Sequence, residues 1–83
     1  MNITIKYFAS IRESIGQGSE PRETSAVTLA DLRDELMAAS PVHAASLARG
    51  KAVRMALNQV MSDEAALLTE GCEVAFFPPV TGG

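Results

Sequence analysis

The residues of this chain best suited to chemistry are its last two, Gly82 and Gly83, which follow Phe76-Phe77-Pro78-Pro79-Val80-Thr81. A terminal glycine carries its carboxylate on the least hindered backbone available, because no Cβ blocks the approach of an enzyme. A carboxylate is a poor electrophile, so it must first be activated, most naturally as a mixed anhydride with AMP. The pair alone is a weak signal, expected by chance in roughly one chain in two hundred at about 7% glycine. The residues before it add weight: two aromatics close an apolar strand, two prolines end it, and a short tip follows. Pro78 and Pro79 cannot donate to a sheet ladder and hold the backbone extended. From Pro78 to Gly83 the reach is roughly 20 Å at about 3.3 Å per residue. That is enough to pass Gly82 and Gly83 down a narrow channel while Val80 and Thr81 make modest side-chain contacts.

Little else in the chain is equipped to react. Cys72 is the only cysteine, which excludes an internal disulfide and suits a reducing compartment. Its neighbours Glu70, Gly71 and Glu73 include no base to support a thiolate, so a structural role is expected. His43 is solitary, and no Cys/His/Asp spacing suggests a metal site. The net charge of −3 argues against nucleic acid as a partner. The one basic cluster, Arg49, Lys51 and Arg54, reads as a solvated loop and strand face. Gly16-Gln17-Gly18 lacks the third glycine of a dinucleotide fingerprint, so any ATP must be handled by a partner enzyme. No apolar run approaches the roughly 20 residues that span a bilayer. The alternating Met1–Lys6 segment has no signal-peptide pattern, which predicts a cytoplasmic protein with no membrane partner.

The elements that must position the tail come from periodicity. With 83 residues, 47% of them hydrophobic, the chain should form one small folded domain over residues 1–77, with 78–83 as an extended tail. Asn2–Phe8 alternates as a strand, and Phe8–Ile15 changes to helical spacing before Gly16. Gln17–Arg22 reads as a polar loop and Glu23–Val27 as a short strand. Thr28 and Asp31 form an approximate capping box for the main helix, Leu29–Ala39, whose stripe is Leu29, Leu32 and Leu36. Arg33, Asp34 and Glu35 fall largely off that stripe, and Ser40-Pro41 stops the helix. Val42–Arg49 follows as a short helix ending at Gly50, then strands Ala52–Leu57, around Val60-Met61, and Glu73–Phe77. Between the last two, Leu67 and Leu68 should pin a loop to the core.

This order predicts an α+β fold, a ubiquitin-like β-grasp in which a mixed five-stranded sheet packs on one main helix with additional short helices. If Ile3, Ile5, Tyr7, Val53, Met55, Leu57, Val74 and Phe76 face the helix, the opposite face shows Phe8, Ala56, Ala75 and Phe77, joined by Met61. Small alanines flanked by aromatics make a flat apolar patch suited to a protein partner, close to the base of the tail.

Tyr7-Phe8-Ala9-Ser10-Ile11-Arg12-Glu13 and Glu73-Val74-Ala75-Phe76-Phe77-Pro78-Pro79-Val80-Thr81-Gly82-Gly83 closely resemble the small subunits of molybdopterin synthase. Ala56-Leu57-Asn58-Gln59 followed by Leu68-Thr69-Glu70-Gly71 also fits that family's spacing, so the resemblance covers essentially the whole chain. Cys72 stands where the family often has an acidic residue. The resemblance implies a sulfur carrier in molybdenum cofactor biosynthesis. The Gly83 carboxylate would be adenylated by an E1-like adenylyltransferase using ATP and magnesium. A sulfur donor, such as a cysteine desulfurase or a rhodanese-like protein, would then convert it to a thiocarboxylate. The synthase large subunit, within a heterotetramer, would take the tail and pass the sulfur to cyclic pyranopterin monophosphate. The catalytic acids and bases would belong to that large subunit, and this chain would bind no cofactor itself. Phe8, Met61 and Phe77 match apolar contact positions of the family, with Pro78, Pro79, Val80 and Thr81 joining them in the partner's grip. The thiamine-pathway sulfur carrier shares the terminal chemistry, but the Phe-Phe-Pro-Pro-Val-Thr segment and the additional first helix favour the molybdopterin reading. A protein modifier joined to lysines through Gly83, or an interaction domain with an inert tail, are the alternatives of a different class.

Overall fold

The computed structural model describes residues 1–79. Along the chain these form β1 (Asn2–Tyr7), α1 (Ala9–Ile15), β2 (Ser19–Glu23), α2 (Leu29–Ala39), α3 (Pro41–Leu47), β3 (Arg54–Leu57), β4 (Val60–Ser62) and β5 (Glu73–Phe77). The strands make one mixed sheet in the order β2-β1-β5-β3-β4. The central pair, β1 and β5, is parallel, and every other pairing is antiparallel. The first and last strands therefore lie side by side, and β5, which precedes the tail, is braced on both edges.

One face of this sheet carries the core. Ile3, Ile5, Tyr7, Met55, Val74 and Phe76 pack with Leu29, Leu32 and Leu36 of α2, Ile11 of α1 and Leu47 of α3. Val53 and Leu57, assigned to the same face, are only partly buried against it. The Tyr7 and Phe76 rings stack with centroids 6.2 Å apart across the parallel pair. The main helix begins and ends where its sequence predicts. Thr28 Oγ1 accepts from the Asp31 backbone N–H at 3.2 Å, and an Asp31 carboxylate oxygen accepts from the Thr28 N–H at 3.4 Å. Cys72 is buried, in keeping with a structural role.

Several boundaries and burials differ from expectation. Gln17–Arg22 is not a loop, and the strand is not Glu23–Val27. Instead Ser19–Glu23 pairs with β1. The segment has no apolar alternation because it is an edge strand, and its Pro21 hid it further. Tyr7 N–H donates to the Gly18 carbonyl at 3.0 Å and Thr24 N–H to the Met1 carbonyl at 2.8 Å. Even-numbered residues of the strand thus face the ladder, and Pro21 turns its missing N–H outward, where nothing is lost.

Phe8 belongs to neither β1 nor α1 but caps the helix in an extended conformation. Ser40-Pro41 stops α2 as expected, because the residue before a proline is kept out of the helical region and Ser40 is extended. Pro41 is also the first residue of α3, and Ser40 Oγ accepts from the His43 N–H at 3.0 Å to start that helix. α3 stops at Leu47 rather than Arg49, because buried Arg33 takes the Leu47 and Ala48 carbonyls at 2.7 and 3.1 Å. That same role overturns the placing of Arg33 off the core face. β3 starts at Arg54 rather than Ala52, since its partner β5 ends opposite at Phe77 and prolines follow. Leu68 enters the core but Leu67 is 64% exposed. Leu67 lies in an antiparallel bridge with Thr28, so consecutive side chains there point opposite ways.

Candidate functional site

The outer face of the sheet is assembled at the junctions around β1 and β5. The Phe8 N–H donates to the Phe76 carbonyl at 3.1 Å, and the Phe8 carbonyl accepts from the Ile11 and Arg12 N–H groups at 3.1 and 3.2 Å. The turn into α1 is made at Ala9 with φ +51°, a conformation uncommon for a residue with a Cβ. These constraints hold the Phe8 ring out at 46% exposure beside Phe77. The two rings meet edge to face, with centroids 6.5 Å apart and planes at 86°.

Register carries the patch across the sheet. Ser19, Lys6, Ala75, Ala56 and Met61 lie in one lateral row, and Arg54 stands opposite Phe77. Met61 reaches this row through a two-residue turn at Asn58 and Gln59. Both have positive φ (50° and 67°), as a turn that follows the twist of its strands requires. Phe8 and Met61 project, Met61 being 58% exposed, and Phe77 is half-buried. Ala56 and Ala75 are not displayed as expected. Each is only 7% exposed, and they form the floor between the larger side chains. Lys6 and Glu73 pair at 3.4 Å on the same face.

The described part of the tail follows Phe77 directly. Pro78 and Pro79 are half-buried. Pro78 lines a small cavity of about 150 Å³ with Ser10, Ser14, Ser46 and Lys51, so the tail's base rests against α1 and the segment after α3. Val80, Thr81, Gly82 and Gly83 lie outside the described residues.

Tyr7 sits on the core side, where its hydroxyl donates to Glu20 at 3.2 Å. Burial first, then the charge and hydrogen bond of Glu20, push its phenol well above the usual range, so it stays protonated. His43 lies against Tyr7 on that same side, its Nδ1 2.6 Å from Ser40 Oγ. Among the described residues no cluster of His, Cys, Asp or Glu could hold a metal ion. Arg49, assigned to a solvated surface, bonds Asp34, the Ala30 carbonyl and Glu64, the last at 2.6 Å. The described residues present an apolar surface and, at Pro78 and Pro79, the start of the segment that leads to Gly82 and Gly83.

A five-stranded mixed sheet with a central parallel pair, clasping one main helix, is the ubiquitin-like β-grasp architecture. The chain belongs to the ThiS family, whose model matches residues 5–83. It is 40% identical over 81 residues to the molybdopterin synthase sulfur carrier subunit of Escherichia coli (strain K12), covering 98% of this chain and 99% of that one. SAMP1 from Haloferax volcanii superposes with a TM-score of 0.78 at 24% identity over the whole of both chains. A solved complex of subunits 1 and 2 of the molybdopterin-converting factor from Helicobacter pylori contains a chain with TM-score 0.69, 24% identity and full coverage of both.

Phe8, Met61 and Phe77, chosen from sequence, are thus brought together on one face, and Pro78 and Pro79 adjoin them. Arg12 of α1 lines a surface recess with Phe8, a proximity that the sequence did not signal because Phe8 lies outside the helix in an extended conformation.

Proposed function

We propose that this chain is the sulfur carrier of a molybdopterin synthase and acts in the cytoplasm. Its Gly83 carboxylate attacks the α-phosphate of ATP on an E1-like adenylyltransferase, releasing pyrophosphate and forming an acyl adenylate. ATP and magnesium belong to that enzyme. The persulfide of a sulfur donor, a cysteine desulfurase or rhodanese-like protein, attacks the acyl carbon and displaces AMP. A thiol then cleaves the resulting acyl disulfide, leaving a thiocarboxylate on Gly83 and a disulfide on the donor side. The synthase large subunit then takes the tail and transfers the sulfur to cyclic pyranopterin monophosphate, and the carboxylate returns for another cycle.

One observation carries this reading. The Pro-Pro-Val-Thr-Gly-Gly segment begins directly after Phe77, whose ring forms the exposed aromatic pair with Phe8. A partner seated on that pair is within roughly 20 Å of the chain's last residue, so docking and delivery are one event. The 40% identity to a sulfur carrier subunit, over nearly the full length, supports the same conclusion. The Helicobacter pylori complex of subunits 1 and 2 supports the large subunit as the partner.

The test is intact-protein mass spectrometry after incubation with the activating enzyme, ATP, magnesium and a sulfur source. A gain equal to the difference between sulfur and oxygen is expected, confined to the C-terminal peptide. High-mass conjugates to target lysines would instead identify a modifier, and an unchanged mass an inert tail.

A further inference from the structure

We infer that Arg12 and Arg54 are the charge-selecting contacts of the docking face, and that the partner this face fits is a protein surface presenting two carboxylates astride an apolar centre. The inference rests on the docking role proposed above and adds the chemistry that the partner must supply.

The chain has five arginines, and three are committed within the fold. Arg22 bonds Glu35 at 2.5 Å, buried Arg33 holds the Leu47 and Ala48 carbonyls, and Arg49 joins Asp34 and Glu64. Arg12 and Arg54 are exposed, and neither has a side-chain hydrogen bond or ion pair with any of the described residues. Both flank the aromatic pair. Arg12 shares a surface recess with Phe8, Lys6 and Gly18, while Arg54 stands opposite Phe77 on the far side. The order is therefore Arg12, Phe8, Phe77, Arg54, with Arg12 on α1 beside Phe8. From Phe8 at the end of β1 to Arg54 on β3 is two strand-to-strand steps, or roughly 10 Å at about 4.8 Å per step.

The charges around them favour an acidic partner. Glu73, on the same face, is already taken by Lys6 at 3.4 Å. The protein as a whole is acidic, at −3, so two uncommitted guanidinium groups beside its most exposed aromatics run against the overall charge. Guanidinium forks match carboxylates in bidentate geometry and are enriched at protein contacts.

Arg12 is also given a seat. A Cβ built on Gly18 would stand 3.0 Å from Arg12 Nε and 3.1 Å from its Cζ. A side chain at Gly18 would therefore push the guanidinium aside by a few tenths of an ångström. Gly18 itself is fixed by the hydrogen bond from the Tyr7 N–H.

The experiment measures binding of the purified synthase large subunit to the full chain and to Arg12→Gln, Arg54→Gln, Gly18→Ala and Phe77→Ala, at low and high salt. Each glutamine variant should weaken binding roughly five- to tenfold at low salt and flatten its salt dependence. Gly18→Ala, which moves Arg12 without removing a charge, should fall between Arg12→Gln and the parent. Thermal melts establish that these surface variants stay folded. If the glutamine variants bind like the parent, with the same salt dependence, while Phe77→Ala binds weakly, the arginine inference is overturned and the docking face stands. If Phe77→Ala also binds like the parent, the docking reading fails and takes the inference with it.

Discussion

At the scale of single residues, the proposed function places the chemistry at one atom group, the Gly83 carboxylate, and the binding at a few side chains around Phe77. Removing Gly83 alone should abolish sulfur transfer while leaving the melting temperature unchanged, since the core is complete by residue 77. Molybdopterin formation by the truncated protein would sink the carrier mechanism. Phe77→Ala should weaken large-subunit binding by about 1 kcal/mol or more, as expected for an aromatic at the centre of an interface. Calorimetry reads this directly, and an unchanged affinity would reject Phe77 as an anchor. Both residues were singled out in sequence, because a terminal glycine and an aromatic before prolines have meanings that depend on local chemistry. Arg33 was not. Its charge marks it for the surface, yet its guanidinium is buried and held by two carbonyls at the end of α3. Burial pushes its pKa below the usual arginine value.

At the scale of elements, local signals succeeded where they were self-contained. The capping box at Thr28 and Asp31 and the left-handed Gly16 that ends α1 (φ +90°) both stand where sequence predicts. Thr28→Ala should cost about 1 kcal/mol of stability, read as a lower denaturation midpoint in urea with an unchanged slope. A midpoint equal to that of the parent would show that the cap is redundant with the packing of Leu29. Edge strand β2 escaped notice for the opposite reason. Ser19–Glu23 has no apolar stripe to reveal its period, and only its ladder with β1 makes it a strand. The same dependence on a partner shortened β3, which can pair only as far as Phe77 reaches.

At the scale of the whole molecule, the edge strand is tied to the main helix through Glu35. Its carboxylate accepts from Arg22 at 2.5 Å and from Thr24 at 2.6 Å. Burial by itself raises the Glu35 pKa, but the hydrogen bonds from Thr24 and Arg22 and the Arg22 charge outweigh it, and the net shift is downward. A carboxyl depressed in the folded state contributes stability that is complete above its unfolded value, about 4.3, and lost as pH falls toward the folded one. Glu35→Gln should therefore flatten the acid limb of the stability profile, measured as urea midpoints between neutral pH and pH 3. Parallel profiles for variant and parent would remove Glu35 from the acid response.

The sequence by itself determined the main helix and its cap, the strands with an alternating core face, and the tail with its activatable carboxylate. Each of these is a property of neighbours a few positions apart. Tertiary structure alone decided that Ala56 and Ala75 are buried as the floor of the face that Phe8, Phe77 and Met61 share. It also decided that two of the five arginines stand uncommitted among the described residues at the edges of that face. Those outcomes depend on register between strands distant in sequence, and on which charges the fold has already paired.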